Sequence, residues 1–485
     1  MAYEALNNAA SLDTNFIIVL NDNNMSISEN VGGMSKYLAG LRTADFYTGL
    51  KKGVTSVLHK VPIVGDSMIQ KMRKTKSSIK QLVVPGMFFE DMGITYLGPI
   101  PGHNIQLLCR ALREAKRIRE PVLLHVITEK GKGYEPAEKH PYKFHGIGPF
   151  RIETGEPETP KKKDTYTDVF GKVLCDEARN RKEVAAITAA MADGTGLTRF
   201  RKLYPERFFD VGIAEAHGVT FAAGLAAGGV RPVFAVYSSF LQRGYDQMIH
   251  DVALPNLPVV LAVDRAGLVG SDGETHQGIF DLSYLSSIPN MVVMSPKHKW
   301  ELADMLRFAL SYQGPSAIRY PRGEAYDEYE EFREPVVYGK SEFLYRESSV
   351  AIISVGHMFE TAVRVRGALK ESGYQCSLVN ARFIKPIDED MVDELCKTHR
   401  MIVTIEENVQ TGGYGEHVME YICRKDRNVK VLPLALPDDY VEHGNVGTLR
   451  KETGLDADTI VRRIRKTYDR QKEHLLDMQT VQEQL

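Results

Sequence analysis

The sequence predicts an α/β fold with mostly parallel sheets, arranged in three parts. Short runs of β-branched residues alternate with longer stretches of helical period along all 485 residues, which is the pattern of alternating strands and helices. Several runs are apolar on both faces, as strands are when helices cover both sides of a parallel sheet. Two polar segments rich in proline and charge, 152–163 and 323–335, separate the parts.

Each predicted strand is a short apolar run bounded by polar or turn-forming residues. The strands are expected at 16–20, 121–128, 183–188, 232–236, 258–264, 291–295, 350–355 and 401–405. The helices between them are expected at 104–119, 165–178, 298–310 and 359–372. The first part begins in an alanine-rich helix at 1–10 and reaches its first strand only at Phe16, so the opening strand of that domain is expected to be absent.

Composition and charge narrow the classes of function. The 61 Lys and Arg residues nearly balance the 63 Asp and Glu residues, for a net charge of −2, so we expect no nucleic-acid and no membrane partner. The five cysteines lack the spacing of a disulfide framework or a zinc site, which favours a cytoplasmic protein. The basic stretch 71–80 could bind an anion or nucleic acid, but its interspersed apolar residues favour a solvated insertion.

A first candidate site follows the strand at 16–20. Its polar end, Asn-Asp-Asn-Asn at 21–24, lies where ligands bind open α/β sheets, outside the carboxyl ends of the strands. Oxygen-bearing side chains at that place suit Mg²⁺. The same residues also form good turns, and a plain turn is the stronger interpretation of this pattern alone.

Two further segments follow predicted strands. The glycine- and lysine-rich segment 130–134 comes directly after the strand at 121–128, and His145 follows it. Glycine amides and lysine charge could hold a phosphate there, or the segment could be an ordinary connection. Glu215 stands in the first turn of a helix, where the helix dipole favours a carboxylate whether or not it has a function.

Arginines at the ends of three predicted strands form a fourth candidate. Arg243, Arg265 and Arg322 follow these strands, and the loop after the strand 258–264 also carries Asp272 and His276. Because the planar guanidinium fits phosphate, a phosphate pocket and a set of surface ion pairs are equally good interpretations. The glycine-rich segment at 406–415 could also cradle an anion, although packing and a tight turn explain it better.

Side by side, these motifs resemble those of the 1-deoxy-D-xylulose-5-phosphate synthases, a family of transketolase-like thiamine-diphosphate enzymes. The resemblance covers nearly the whole chain. Its most specific parts are Asn-Asp-Asn-x-Met-Ser-Ile at 21–27, Gly-Tyr-Glu-Pro-Ala-Glu at 133–138, Ile-Ala-Glu at 213–215 and Asp-Arg-Ala-Gly-x-Val-Gly at 264–270. It implies a homodimer of chains with three doubly wound domains of the transketolase-like type, at 1–151, 164–325 and 336–485, the first one incomplete.

The resemblance also implies an activity: condensation of pyruvate with D-glyceraldehyde 3-phosphate, with release of CO₂, for isoprenoid, thiamine and pyridoxal synthesis. Glu215 would hydrogen-bond the aminopyrimidine ring of thiamine diphosphate and so promote loss of the thiazolium C2 proton. The positions that match cofactor contacts are Asn23, Met25, Lys130, Tyr134, Glu215 and Phe240, and those that match Mg²⁺ ligands are Asn23 and Met25. The positions that match acceptor contacts are Tyr237, Arg243, Arg265, Asp272, His276 and Arg322, and the implied catalytic residues are Glu215, His276 and His145.

The sequence departs from the family pattern at several places. The Gly-Asp-Gly segment that carries another magnesium ligand does not precede Asn23. We therefore expect a chain truncated at its start that, by itself, binds the cofactor poorly and is weakly active or inactive. Pro101 and Asn104 stand where the family usually has aspartates, and Ala216 and Gly218 also differ. The alternatives are another transketolase-like enzyme, one half of a split enzyme, or a noncatalytic remnant.

Overall fold

The computed structural model describes residues 2–12, 14–25, 30–43, 87–158 and 163–484. The basic stretch 71–80 lies outside these residues. The chain divides into two compact units, Met1–Pro160 and Lys161–Leu485, and each is described by itself.

The first unit contains a three-stranded parallel sheet in the order β1-β3-β2. Its elements are α1 (Ala2–Ala10), β1 (Ile17–Asp22), α2 (Gly32–Thr43), α3 (Met87–Asp91), β2 (Thr95–Pro101), α4 (Ile105–Ala115), β3 (Val122–Ile127) and α5 (Glu135–Lys139). Asn104 caps α4, since its Oδ1 accepts a hydrogen bond from the N–H of Leu107 at 3.1 Å. Asparagine and aspartate cap helices about equally well, so this departure from the family pattern leaves the helix start intact.

The second unit contains two sheets, of which the larger has seven strands in the order β13-β8-β9-β7-β6-β4-β5. Its neighbouring strands are parallel except for β13, which pairs antiparallel with β8. The elements up to the end of β9 are α6 (Tyr166–Asn180), β4 (Val184–Thr188), α7 (Thr198–Leu203), β5 (Phe208–Asp210), α8 (Glu215–Ala227), β6 (Arg231–Tyr237), α9 (Ser238–Leu241), α10 (Tyr245–Gln247), β7 (Val260–Asp264), α11 (Asp281–Ser286), β8 (Val292–Met294), α12 (Lys299–Ser311) and β9 (Ser316–Arg319).

The smaller sheet has five strands in the order β10-β12-β11-β14-β15, with β10 antiparallel to β12 and the remaining pairs parallel. The elements from β10 onward are β10 (Glu342–Tyr345), β11 (Ser349–Ser354), α13 (Phe359–Glu371), β12 (Cys376–Asn380), β13 (Phe383–Lys385), α14 (Glu389–Thr398), β14 (His399–Val409), α15 (Tyr414–Arg424), β15 (Lys430–Leu436), α16 (Val446–Glu452) and α17 (Ala457–Gln484). All eight predicted strands overlap observed ones, so the predicted α/β class with mostly parallel sheets is confirmed.

The two sheets of the second unit are connected by the segment that contains Arg382 and β13. β13 follows β12 of the smaller sheet along the chain, yet it pairs with β8 at the edge of the larger one. Arg382, immediately before β13, donates from Nε to Glu301 of α12 at 2.7 Å, and both side chains are buried. The proposed boundary between residues 164–325 and 336–485 therefore crosses a sheet and a buried ion pair.

Within the part of the chain that the structure describes, no helix combines the length and the apolar character needed to cross a membrane.

Candidate active site

The end of β1 forms a tight polar turn. Asp22 Oδ1 accepts the N–H of Asn24, and Asn23 Oδ1 accepts the N–H of Met25, both at 3.0 Å. Asn24 has a left-handed φ of 62°, a conformation that asparagine adopts more readily than most residues. The turn favoured by the sequence is thus present, and it fixes the backbone that carries the two predicted Mg²⁺ ligands.

A buried set of polar side chains lies beside this turn. Asp22 Oδ2 is 3.1 Å from Nε2 of His125, and Nδ1 of His125 is 2.7 Å from the hydroxyl oxygen of Tyr96. All three residues are buried. The carboxylate of Asp22 is therefore held by His125 of the neighbouring strand β3. Sequence reasoning missed the set because a single histidine or tyrosine within an apolar strand run gives no periodic signal.

The predicted cofactor residues in the segment after β3 make two different kinds of contact. Lys130 Nζ lies 3.0 Å from His145 Nδ1, and burial lowers the pKa of both groups, with the lysine charge adding to the effect on the histidine. Tyr134 instead donates its hydroxyl to the carbonyl oxygen of Ile152 at 2.7 Å, and its ring packs edge-on against Phe144. The structure brings Lys130 and His145 together, whereas Tyr134 bonds within its own loop.

Glu215 is the first residue of α8, at the carboxyl edge of the seven-stranded sheet. The residue is 2% exposed, and its Oε2 makes no hydrogen bond among the described residues. Arg243 Nη1 approaches that oxygen to 3.1 Å as an ion pair, without the alignment of a hydrogen bond. Because a buried polar atom without a hydrogen bond is costly, an oxygen of this kind indicates a place for a ligand's donor.

Tyr237, the last residue of β6, and Phe240 of α9 form an aromatic shelf. The two rings stack with their centroids 5.4 Å apart, and His276 meets Phe240 edge-on at 5.2 Å. The guanidinium carbon of Arg265 lies 3.8 Å from the centroid of Tyr237, close enough for a cation–π interaction. The shelf forms because β6 and β7 pair in parallel and end together, with Tyr237 opposite Asp264.

The loop 264–278 supplies the charged side of this region. Its ends are joined by two hydrogen bonds between Gly267 and Gly278, at 2.7 and 2.8 Å. At its far end Asp272 forms an ion pair with Arg322, which follows β9. At its beginning Asp264 is wholly buried, and burial raises its pKa to about 6 against the opposing charge of Arg265.

The glycine-rich segment 406–415 is a structural turn, as the sequence favoured. The carboxylate of Glu406 accepts the N–H groups of Tyr414 and Gly415, both at 2.8 Å, at the start of α15. Burial raises the pKa of Glu406 to about 7. The protein's own carboxylate thus occupies the place that an external anion would take.

The predicted site residues are divided between the two units. The first unit holds Asn23, Met25, Lys130, Tyr134 and His145. The second unit holds Glu215, Tyr237, Phe240, Arg243, Arg265, Asp272, His276 and Arg322. In the second unit, contacts connect Glu215 with Arg243, the aromatic shelf with Arg265 and His276, and Asp272 with Arg322.

Comparisons with known proteins find relatives along most of the chain. Residues 1–128 match the 1-deoxy-D-xylulose-5-phosphate synthase family, residues 162–327 the transketolase pyrimidine binding domain, and residues 339–460 the transketolase C-terminal domain. A 1-deoxy-D-xylulose-5-phosphate synthase of Lachnoclostridium phytofermentans is 54% identical over 473 residues, which cover 97% of this chain and 76% of the relative. The chain belongs to the 1-deoxy-D-xylulose-5-phosphate synthase family.

A second relative supports the same assignment, and two solved structures show a similar fold. A 1-deoxy-D-xylulose-5-phosphate synthase of Caldanaerobacter subterraneus is 50% identical over 96% of this chain and 75% of its own. This member of the synthase family thus spans about three quarters of the length of both relatives. A split-gene transketolase, described as an inactive β4 tetramer, is 26% identical with a TM-score of 0.58, over 64% of this chain and 99% of the other.

The second solved structure, a transketolase from Campylobacter jejuni, has 17% identity and a TM-score of 0.55, over 96% of this chain and 75% of the other. At that identity the likeness concerns the fold alone. The transketolase-like fold expected for this synthase-family chain is confirmed.

Proposed function

We propose that this chain catalyses the condensation of pyruvate with D-glyceraldehyde 3-phosphate to 1-deoxy-D-xylulose 5-phosphate and CO₂, with thiamine diphosphate as cofactor. Membership of the synthase family supports the substrates and the reaction. The observation that carries the site assignment is Glu215, whose buried Oε2 makes no hydrogen bond among the described residues. A pyrimidine ring nitrogen that carries a proton is the donor this oxygen lacks.

The residues of the second unit fit the ring system of the cofactor. Thiamine diphosphate, when bound, supplies the electron sink for carbanion chemistry. Glu215 Oε2 would accept a hydrogen bond from the pyrimidine ring, and this bond gains strength from burial because the local dielectric is low. Phe240 would offer a flat apolar face against which the ring can stack.

The residues of the first unit fit its diphosphate and a magnesium ion. We infer that Asn23 Oδ1 and the carbonyl oxygen of Met25 would hold Mg²⁺, which takes hard oxygen ligands and usually keeps waters and phosphate oxygens in its shell. Among the described residues no cluster of three or more His, Cys, Asp or Glu side chains could hold a metal ion. The ion would therefore depend on the diphosphate and on waters for most of its ligands. Lys130 and His145 would donate hydrogen bonds to the diphosphate.

The loop 264–278 and its neighbours fit a phosphorylated acceptor. The guanidinium group of Arg265 lies against Tyr237 of the aromatic shelf, and that of Arg322 pairs with Asp272 of the loop. Guanidinium groups bind phosphate oxygens in pairs of hydrogen bonds. His276 has Nδ1 2.9 Å from the hydroxyl of Thr275, which fixes the ring, so Nε2 would exchange a proton with the acceptor oxygen. We infer further that the protein is cytoplasmic, since all five cysteines are free. That it forms a homodimer is proposed from its family membership alone.

The direct test supplies the purified chain with pyruvate, D-glyceraldehyde 3-phosphate, thiamine diphosphate and Mg²⁺. We expect CO₂ and 1-deoxy-D-xylulose 5-phosphate in equal amounts. A matched reaction replaces pyruvate with a ketose phosphate, and transfer from that donor without CO₂ would instead support a transketolase activity. Calorimetry of cofactor binding measures how far the weak affinity that we expect without a Gly-Asp-Gly segment before Asn23 limits turnover. No binding at any concentration of cofactor would contradict the proposed site.

A further inference from the structure

A buried carboxylate of the smaller sheet contacts the back of the loop 264–278. Glu407, in β14, is wholly buried, and its Oε2 accepts the N–H of Leu268 at 3.0 Å. The neighbouring residue, Gly267, has a φ of 78°, and a Cβ there would lie 2.4 Å from the same oxygen. Glycine at position 267 is therefore what allows the loop to approach the carboxylate so closely.

Glu407 is itself held from several sides. His357 Nε2 lies 2.7 Å from Oε2, and Arg450 forms an ion pair with Oε1. Burial raises the pKa of Glu407, but the charge of Arg450 and the hydrogen bond from His357 outweigh this effect and leave the pKa well below its ordinary value. Arg319 also donates to the backbone oxygen of Glu407 at 3.1 Å. The carboxylate is thus ionised and fixed, and hydrogen bonds to ionised acceptors are about twice as strong as neutral ones.

Three hydrogen bonds within the loop connect the backbone next to Leu268 with the segment that carries His276. Gly267 is joined to Gly278 by two hydrogen bonds, and the N–H of Val269 donates to Oε1 of Gln277 at 2.7 Å. Gln277 directly follows His276. A displacement of the backbone at Leu268 would therefore move His276, while the shelf residue Phe240, which His276 contacts, is carried by a different element.

We propose that Glu407 is a positioning residue for the phosphorylated acceptor. By binding the N–H of Leu268, it sets where the loop 264–278, with Asp272 and His276, stands relative to the aromatic shelf. Glu407 touches no proposed substrate group and acts only through the loop. This inference rests on the proposed function.

The test is the variant Glu407→Gln. A carboxamide has one acceptor oxygen and no charge, so it cannot serve Leu268, His357 and Arg450 together. We expect the KM for glyceraldehyde 3-phosphate to rise about tenfold or more, because small misplacements of positioning groups cost up to about a hundredfold. The KM for pyruvate and the Kd for thiamine diphosphate should stay unchanged, since neither depends on this loop.

The matched control is Glu347→Gln. Glu347 also accepts a backbone N–H, that of Cys376 at 2.8 Å, and pairs with Arg366 and Lys370, but it does not contact the loop. Its variant should keep the KM for the acceptor. A general loss of stability would move both variants alike, so the difference between them measures positioning.

Two further readouts keep the inference testable by itself. Amide hydrogen exchange in the peptide 264–278 should be faster in Glu407→Gln and unchanged in Glu347→Gln, and this holds even if the wild type makes no product, which would refute only the proposed function. If Glu407→Gln does not fold, Gly267→Ala displaces the same carboxylate from the loop side and should give the same two effects. Acceptor KM and loop exchange equal to those of the control would overturn the inference.

Discussion

The buried glutamates of this chain differ in what surrounds them, and that difference separates structure from function. Glu406 is bonded by two backbone N–H groups, and Glu407 is paired with Arg450 and His357. Glu215 is buried to a similar degree, yet one of its oxygens makes no hydrogen bond among the described residues. Since burying an unsatisfied polar group costs free energy, Glu215 is the one of the three that is prepared for a ligand.

The first prediction concerns Glu215→Gln. We expect kcat for CO₂ release to fall about 100-fold or more, since acid–base partners contribute at least that much, while the circular dichroism spectrum stays unchanged. The control is Glu206→Gln, because Glu206 is exposed in a short helix away from the site. A Glu215→Gln enzyme as active as this control would contradict the proposed role.

The second prediction concerns pH and Glu406. Burial raises its pKa from 4.5 to about 7, so the folded protein binds this proton more tightly than the unfolded chain. The resulting stability is fully present below about pH 4.5 and is lost as the pH rises through about 7, a change of about 3 kcal/mol. Glu406→Gln should lack this dependence. Urea unfolding of both proteins from pH 4.5 to 8 measures it, and parallel curves for the two proteins would refute the assignment.

The helix α8 and the strand β6, on which it packs, set the position of Glu215. Gly218 lies one turn after Glu215, and a Cβ there would lie 2.7 Å from Cζ of Phe234 in β6. Gly224, two turns further along the same helix, has no atom within 4 Å of such a Cβ. The small residue at 218, where the sequence departs from the family pattern, therefore lets the helix start pack closely on the sheet.

The third prediction compares the two glycines of this helix. Gly218→Ala should push the start of α8 away from β6 and weaken cofactor binding, because Glu215 moves with the helix. Gly224→Ala should leave cofactor binding unchanged and stabilise the protein by up to about 1 kcal/mol, the difference in helix propensity. Calorimetry with thiamine diphosphate and thermal unfolding measure the two effects. Equal cofactor affinity in both variants would show that the packing at 218 does not position Glu215.

At the scale of the whole molecule, a buried ionic cluster joins the two sheets of the second unit. Lys297 Nζ lies 3.1 Å from Oε1 of Glu301 and also pairs with Glu342 of β10. Arg382 binds both glutamates, and Asn380 donates to Glu301 at 2.9 Å. Each charge is compensated by partners from the other sheet, so the sheets are expected to unfold together.

The fourth prediction is that Glu301→Gln lowers the free energy of unfolding by about 3–5 kcal/mol, because it leaves buried cations undercompensated. Both sheets should still melt in one transition, since β13 pairs with β8. Differential scanning calorimetry reports the shift and the number of transitions. Separate transitions for the two sheets, distinguished from that of the first unit by hydrogen exchange in peptides of each sheet, would show that residues 163–484 are not one cooperative unit.

Most of the observed strands outside the predicted ranges share one property, their position in the sheet. Seven observed strands lie outside the eight predicted ranges, and five of them, β2, β5, β10, β13 and β15, lie at sheet edges. Edge strands are only partly buried, so they lack the continuous apolar run that marks a central strand. The other two, β9 and β12, are central. β9 has only four residues, and the run Cys376–Asn380 of β12 alternates apolar residues with serine and asparagine.

The sequence by itself determined the α/β class and the turn after β1, because apolar runs and turn chemistry are local. Its short motifs also pointed to Glu215 and Arg243, which the structure brings together. Only the tertiary structure decided that Glu407 meets Leu268, 139 residues away in the chain, and that Asp22, His125 and Tyr96 share a buried contact. Such contacts depend on the order of strands within a sheet and on the packing of one sheet against another. Both are fixed by contacts between distant segments rather than by any local pattern.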